Sequence, residues 1–205
     1  MGQAGMAVAV VRYLRSAGAA TTAGRVDPLP PPELRAVRPD ERAPVDQSEF
    51  RQVLGNFASG VTVIAAPGDD AQSGPAGFAC QSFASLSLDP PLVVFMVART
   101  STSWPRIARA GVFCVNVLSA DQQELCRSFA VSGGDKFAGV EWDPAPETGS
   151  PRLRGVAAWI DCAIHAVHTG GDHLVVIGRV RDLGHGAEDG EPLLFHRGRF
   201  GRLAP

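Results

Sequence analysis

Residues 74–97 read GPAGFACQSFASLSLDPPLVVFMV, and the reading of this stretch decides the fold. Gly74 and Pro75 mark a turn, and a run of small and apolar residues with Phe78 and Phe83 follows. A hydroxyl-rich corner, Asp89-Pro90-Pro91 and a valine-rich run over residues 92–97 complete it. The pattern is strand, corner, strand. Ala76, Gly77, Ala79, Cys80 and Ala84 let a flat ligand approach the backbone. Gln81, Ser82, Ser85 and Ser87 offer donors and acceptors where the chain leaves the sheet. Such a wall suits a planar ring rich in heteroatoms.

Upstream, Asp46 with Glu49 resembles a capping-box start. Phe50, Val53, Leu54 and Phe57 fall at i, i+3, i+4 and i+7 and predict an amphipathic helix that Ser59-Gly60 ends. Residues 61–66 read as a β-branched strand and residues 67–70 as a turn. Downstream, Ser101, Thr102 and Ser103 stand before a short helix with Pro105 in its first turn and Gly111 just past its end. The free N–H groups of that helix start, with hydroxyls beside them and Arg99 and Arg106 nearby, read as a phosphate site; ordinary serine capping is the plainer alternative.

Residues 112–118 form a further buried strand, and Ser119 with Gln122 makes a second capping box that opens a helix through Leu125 and Phe129. Residues 135–142 read as a loop. Residues 158–167 and 173–180 are strands joined as a hairpin through residues 168–172, and residues 192–200 form a final strand. Six or seven strands with few helices favour an antiparallel barrel, which leaves no long exposed edge. No GxGxxG follows a strand, so a Rossmann fold is disfavoured.

A chain of 205 residues with 45% hydrophobic residues suits one domain with a substantial core. Its 19 basic and 21 acidic side chains leave no positive field for nucleic acid. Cys80, Cys114, Cys126 and Cys162 lie far apart without a CxxC pair, which argues against a zinc ribbon and fits a reducing cytoplasm. His168 and His173 lack a third metal ligand at suitable spacing, and no metal is expected. No apolar run approaches the roughly 20 residues that span a bilayer, so no membrane partner is expected. Residues 1–44, with Pro28, Pro30, Pro31, Pro32, Pro39 and Pro44 among charges, read as a flexible proline-rich leader before a folded domain at 45–205.

The segment GFACQSFASLSLDPPLVVF (77–95) closely resembles the short-chain NAD(P)H:flavin oxidoreductases that serve two-component flavin-dependent monooxygenases. DKFAGVEW (135–142), GGDHLVVIGRV (170–180) and PLLFHRGRFGRL (192–203) agree with it in order and spacing, so the resemblance covers residues 48–203. It implies a mainly β fold, an antiparallel Greek-key split β-barrel with a few short helices, that dimerises and holds flavin in a groove near the subunit interface. The implied activity is NADH-dependent reduction of free FAD or FMN, with NADPH the lesser donor, and supply of reduced flavin to a separate monooxygenase. Hydride transfer between two cofactors needs stacking and dryness more than acid or base power, which is consistent with the lack of a nucleophile, base and acid trio.

By the same resemblance, Cys80, Gln81, Ser82 and Phe83 lie along the isoalloxazine ring. Ser101, Ser103 and Trp104 meet the flavin phosphate or ribityl chain, and Lys136 and Phe137 flank the flavin tail. Gly171, Asp172 and His173 match a GDH motif whose histidine approaches the nicotinamide, which makes His173 the candidate catalytic residue; Phe200 borders the groove. On residue type alone, Phe83 and Phe137 equally suit plain core packing, and Lys136 a solvated surface. Arg197 or Arg199 are further candidates for a cofactor phosphate, and Arg179 or Arg181 for a 2′-phosphate. Ala79 and Gln81 stand where many members carry hydroxyls, and Phe195 where tyrosine is frequent. A non-catalytic flavin carrier or sensor is the alternative function, although storage needs no nicotinamide contact.

Overall fold

The computed structural model describes residues 45–68, 73–186 and 191–203. The expected leader at 1–44 lies outside them, as do residues 69 and 70 of the expected turn. Helix α1 (Gln47–Leu54) opens as the capping signal predicts: the Asp46 carboxylate accepts from the backbone N–H groups of Ser48 at 2.8 Å and Glu49 at 3.2 Å. Its apolar stripe stays out of the core. Phe50, Val53 and Leu54 are 55%, 62% and 53% exposed.

Strands β1 (Ser59–Gly60), β2 (Thr62–Ala66), β3 (Ala76–Cys80), β4 (Ala84–Leu88) and β5 (Pro91–Ala98) follow. The deciding stretch therefore holds three strands rather than two. The break falls at residues 81–83, where the Ser82 hydroxyl donates to the Met96 carbonyl and accepts from the Met96 N–H, both at 2.9 Å. That bond turns the chain out of β3 and starts it again as β4. The chain continues through α2 (Trp104–Ala110), β6 (Val112–Val117), α3 (Gln123–Ala130), β7 (Trp142–Pro144), β8 (Pro151–Leu153), β9 (Ala158–Gly170), β10 (His173–His185), β11 (Leu194–His196) and β12 (Arg199–Gly201).

Seven strands pair antiparallel in the order β3-β2-β6-β9-β10-β5-β4. Laid flat, such a sheet would hold its edges about 29 Å apart, at about 4.8 Å per neighbour. Yet the edges β3 and β4 are joined by residues 81–83 alone, a connection of at most about 14 Å. The sheet is rolled. The architecture is mainly β and antiparallel, as expected, while the hydrogen-bonded ladder stays open between β3 and β4 among the described residues.

Rolling buries the middle strands on both faces, which is why every residue of β2 is buried. Val63, Ala65 and Cys114 face one cluster with Phe129, Phe137, Leu153 and Trp159. Ile64, Phe113 and Val115 face another, with Phe95, Trp104, Ile107 and Val176. Phe113 lies so close to β10 that a Cβ on Gly178 would sit 2.4 Å from its Cζ, so only glycine fits there.

Two features go beyond the sequence reading. The β9–β10 hairpin is longer than expected, with Gly171 and Asp172 alone between its strands. The β7–β8 hairpin, of which only Trp142 falls within the expected loop and the rest carried no expectation, is held by buried polar side chains. Asn116 accepts from the Leu153 N–H at 2.8 Å and donates to the Pro151 carbonyl at 3.0 Å. Asp161 accepts from the Glu147 and Thr148 N–H groups at 3.1 and 3.0 Å. At Ser119 only one arm of the capping box forms: its N–H donates to Gln122 Oε1 at 3.0 Å, while its hydroxyl turns to the Gly155 carbonyl at 2.6 Å.

Candidate active site

A cavity of about 540 Å³ opens where the roll brings β3, β5, the residues before α2, the end of α3 and the β11–β12 hairpin together. Its β3 wall is Phe78, Ala79 and Cys80, continued by Gln81 and Ser82; Met96, Val97 and Ala98 of β5 adjoin it. Ser101, Thr102 and Ser103 add hydroxyls, Arg127, Phe129 and Lys136 come from α3 and the loop after it, and Phe195 and Phe200 from the hairpin. His173 lines it from the start of β10 because it pairs with Ala98 across the β5 ladder.

Of the residues singled out from sequence, Cys80, Gln81, Ser82, Ser101, Ser103, Lys136, His173 and Phe200 meet in this cavity. Others take different places. Phe83 packs, partly buried, against the cluster inside the roll, and Trp104 is buried there with its ring edge-on to Phe95, 6.3 Å between centroids. Phe137 packs edge-on to Phe129 at 5.0 Å and lines a neighbouring cavity. Gly171 and Asp172 form the exposed hairpin turn, where Gly171 takes a φ of 69° that suits glycine. Arg197 lies outside the cavity lining; its Nε donates to Asn56 Oδ1 at 2.8 Å and its N–H to the Gly55 carbonyl at 2.9 Å, tying the β11–β12 turn to the chain just after α1. Arg179 and Arg181 are exposed on β10; Arg179 lies about 20 Å along the strand from His173.

Local chemistry sharpens the roles of those that meet. The Ser103 hydroxyl is no helix cap: it donates to the Gly77 carbonyl at 2.8 Å and locks the start of α2 to β3. The Lys136 ammonium donates to the carbonyls of Gly77 at 3.3 Å and Phe129 at 3.1 Å, so it is held rather than solvated. Burial lowers its pKa from the ordinary lysine value. Burial likewise pushes the Cys80 thiol up, and its Sγ lies 3.3 Å from the Ser82 hydroxyl. Cys80 is therefore a small protonated wall residue.

His173 Nδ1 lies 2.8 Å from Asp172 Oδ1. A carboxylate only accepts, so Nδ1 carries a proton, which leaves Nε2 as the ring nitrogen not engaged by Asp172. The hydrogen bond from His173, with its charge, holds the Asp172 carboxyl below its usual value, and Arg51 on α1 adds to this. Arg127 was not singled out from sequence. Its guanidinium carbon stands 5.5 Å from the centre of the Phe200 ring, and Phe195 packs edge-on to that ring at 5.4 Å. No local signal reveals Arg127, because α3 and the β11–β12 hairpin meet only through the fold.

These features suit a flat heteroaromatic ligand with an anionic tail: a wall of small residues, an aromatic pair, hydroxyls, and cations at Lys136 and at Arg127, which also pairs with Glu124. The comparisons agree. Residues 54–204 match the family model described as flavin reductase like domain. The chain belongs to that family, and its class is that of an NAD(P)H:flavin oxidoreductase. The reductase subunit HsaB of a flavin-dependent monooxygenase from Rhodococcus jostii is 50% identical over 161 residues, 78% of this chain and 80% of that protein. A solved NADH:FAD oxidoreductase from Streptomyces globisporus, in complex with NAD and FAD fragments, superposes with a TM-score of 0.72 at 38% identity, covering 78% of this chain and 94% of that one. An NADH-dependent FMN reductase, SmoA, from Agrobacterium fabrum is 41% identical over 155 residues, 76% of this chain and 85% of that protein.

Proposed function

We propose that this chain transfers a hydride from NADH to free FAD or FMN and releases the reduced flavin to a separate flavin-dependent monooxygenase. The observation that carries this reading is the gathering of the residue 80–82 wall, Lys136 and His173 around one cavity, from three distant parts of the chain. Flavin and nicotinamide, when bound, supply the hydride-acceptor and hydride-donor chemistry. The protein's own work is placement. Ala79 and Cys80 allow close approach to the β3 backbone, Phe195 and Phe200 exclude water, and Lys136 meets negative charge. His173 positions the nicotinamide amide through Nε2, oriented by Asp172. Names among the relatives support both the donor and the partner: one is an NADH:FAD oxidoreductase and another a monooxygenase reductase subunit.

The rolled sheet with its open seam reads as a split barrel, and its outer face reads as a dimer surface. Met96 and Val175 are paired neighbours there, as are Val94 and Ile177, so the face outside the roll is apolar where a free sheet would be polar. Met96 of β5 and Leu86 of the adjoining β4 are 40% and 49% exposed in the single chain. A second copy covers them in this reading; a monomer by light scattering at micromolar concentration would refute it. Four buried free thiols fit a reducing cytoplasm.

The test of the activity is steady-state oxidation of NADH and NADPH with FAD, FMN, riboflavin or no added flavin. Saturable oxidation of NADH that depends on added FAD or FMN is expected. Protein that stays yellow and oxidises no nicotinamide would instead be a carrier or sensor.

A further inference from the structure

Among the described residues Arg197 alone has a positive φ without being glycine, at 48°. With Gly198 at 77° it forms the two-residue turn between β11 and β12. A turn with both φ values positive favours asparagine or glycine at its first position. Arginine is strained there, and such strain persists where the surroundings hold it in place. The end of α1 does the holding. We infer that Arg197 and Asn56 form a latch that positions the aromatic β11–β12 hairpin over the flavin, so that the grip on the ring is set from outside the cavity. The inference rests on the flavin-reductase reading and extends it.

The Arg197 N–H donates to the Gly55 carbonyl at 2.9 Å, its Nε donates to Asn56 Oδ1 at 2.8 Å, and one Nη donates to the same oxygen. Asn56 is fixed in turn: its Nδ2 donates to the carbonyls of Gln52 and Val53 in the last turn of α1, both at 3.0 Å. One amide thus supplies the acceptor for the arginine and the donors for the helix end. The hairpin needs such an anchor. Its sheet runs β1-β11-β12, and β1 offers only Ser59 and Gly60, paired with Phe195 and Leu194. Strand β12, which carries Phe200, is the outer strand of that sheet among the described residues. Phe195 and Phe200 pair across the hairpin and both line the cavity, so the latch fixes the far end of the element that presents them. A phosphate contact is the other role open to Arg197, but its Nε and one Nη are engaged by Asn56 and it lies outside the cavity lining. Riboflavin, which has no phosphate, separates the two roles.

The experiment is binding of riboflavin, FMN and FAD without nicotinamide, read by flavin fluorescence, for the wild-type chain, Arg197→Gly, Asn56→Ala and the double variant. Glycine suits the turn, so Arg197→Gly removes the side-chain latch without adding strain. Each single variant is expected to raise the Kd for all three flavins by one common factor of about fivefold, the cost of ordering the two rings on binding. The double variant should lose no more than either single one, because both remove the same contact. The flavin KM in the NADH-oxidation assay should rise by the same factor while kcat moves less. A lower Tm with unchanged flavin Kd would make the contact merely structural, a loss confined to FMN and FAD would make Arg197 a phosphate ligand, and additive losses would uncouple the two residues; each overturns the latch. A misfolded Asn56→Ala leaves Arg197→Gly to decide. Flavins that bind with the expected pattern yet take no hydride from NADH would sink the reductase reading and leave the latch standing.

Discussion

Ser82→Ala tests whether the Ser82 hydroxyl serves the sheet or the flavin. In the structure its proton goes to the Met96 carbonyl and one lone pair takes the Met96 N–H, both at 2.9 Å. These two bonds clamp the three-residue bridge between β3 and β4 to β5, at the point where the roll closes. Each bond is worth about 0.5–1.5 kcal/mol net. Met96 is 40% exposed, so water recovers part of the loss, and the expected destabilisation is about 1–2 kcal/mol. For a domain of this size the Tm falls by about 2–4 °C per kcal/mol, so the drop is about 2–8 °C. Because residues 80–82 also form the cavity wall, the apparent KM for flavin should rise severalfold while that for NADH moves less. Thermal unfolding and the NADH-oxidation assay read both effects, with Ser82→Thr as the variant that keeps a hydroxyl. An unchanged Tm together with a large rise in flavin KM would refute the clamp and assign the hydroxyl to the flavin.

Three further predictions concern titratable side chains. His173→Ala should raise the apparent KM for NADH about tenfold, as for the loss of one hydrogen bond in a partly exposed site, with little change in flavin affinity; unchanged NADH kinetics would remove His173 from the site. Burial raises the Cys80 thiol above its ordinary 9.0 and pushes Cys114 up to about 12, helped by the neighbouring Asp161 charge. Both thiols should therefore resist iodoacetamide at pH 8 in the native protein and react on unfolding. A raised thiol pKa stabilises the fold fully below 9.0, and that contribution falls as pH climbs toward the folded value, because unfolded thiols ionise first. Cys114→Ala should flatten the decline of Tm with pH above 9.0; rapid native alkylation of Cys114 or an unaltered slope would contradict this.

The site was only partly legible. Residue type and motif order pointed to Cys80, Gln81, Ser82, Ser101, Ser103, Lys136, His173 and Phe200, all of which line one cavity. Trp104 and Phe83 were assigned to the cofactor but pack in and against the core, since a large apolar ring beside a site suits a core equally well. Arg127 was missed because its partner Phe200 lies 73 residues away in sequence, a contact that no local period encodes. The exposed stripe of α1 was the reverse case. Its spacing is that of a core-facing helix, yet Phe57, just past the helix, is 82% exposed in the single chain.

By itself the sequence determined the longer central strands, their antiparallel character and the family, because alternation, β-branching and turn residues act over a few positions and the motifs are contiguous. The tertiary structure decided which strands share an edge. A three-residue bridge joining opposite edges forces the sheet to roll, and that roll gathers Cys80, Lys136, His173 and Phe200 around one cavity. It also decided that hydroxyls which look like ligands, Ser82 and Ser103, spend their protons on the carbonyls of Met96 and Gly77. A hydroxyl has one proton to donate, and its recipient is set by neighbours 14 and 26 residues away, beyond the reach of any local pattern.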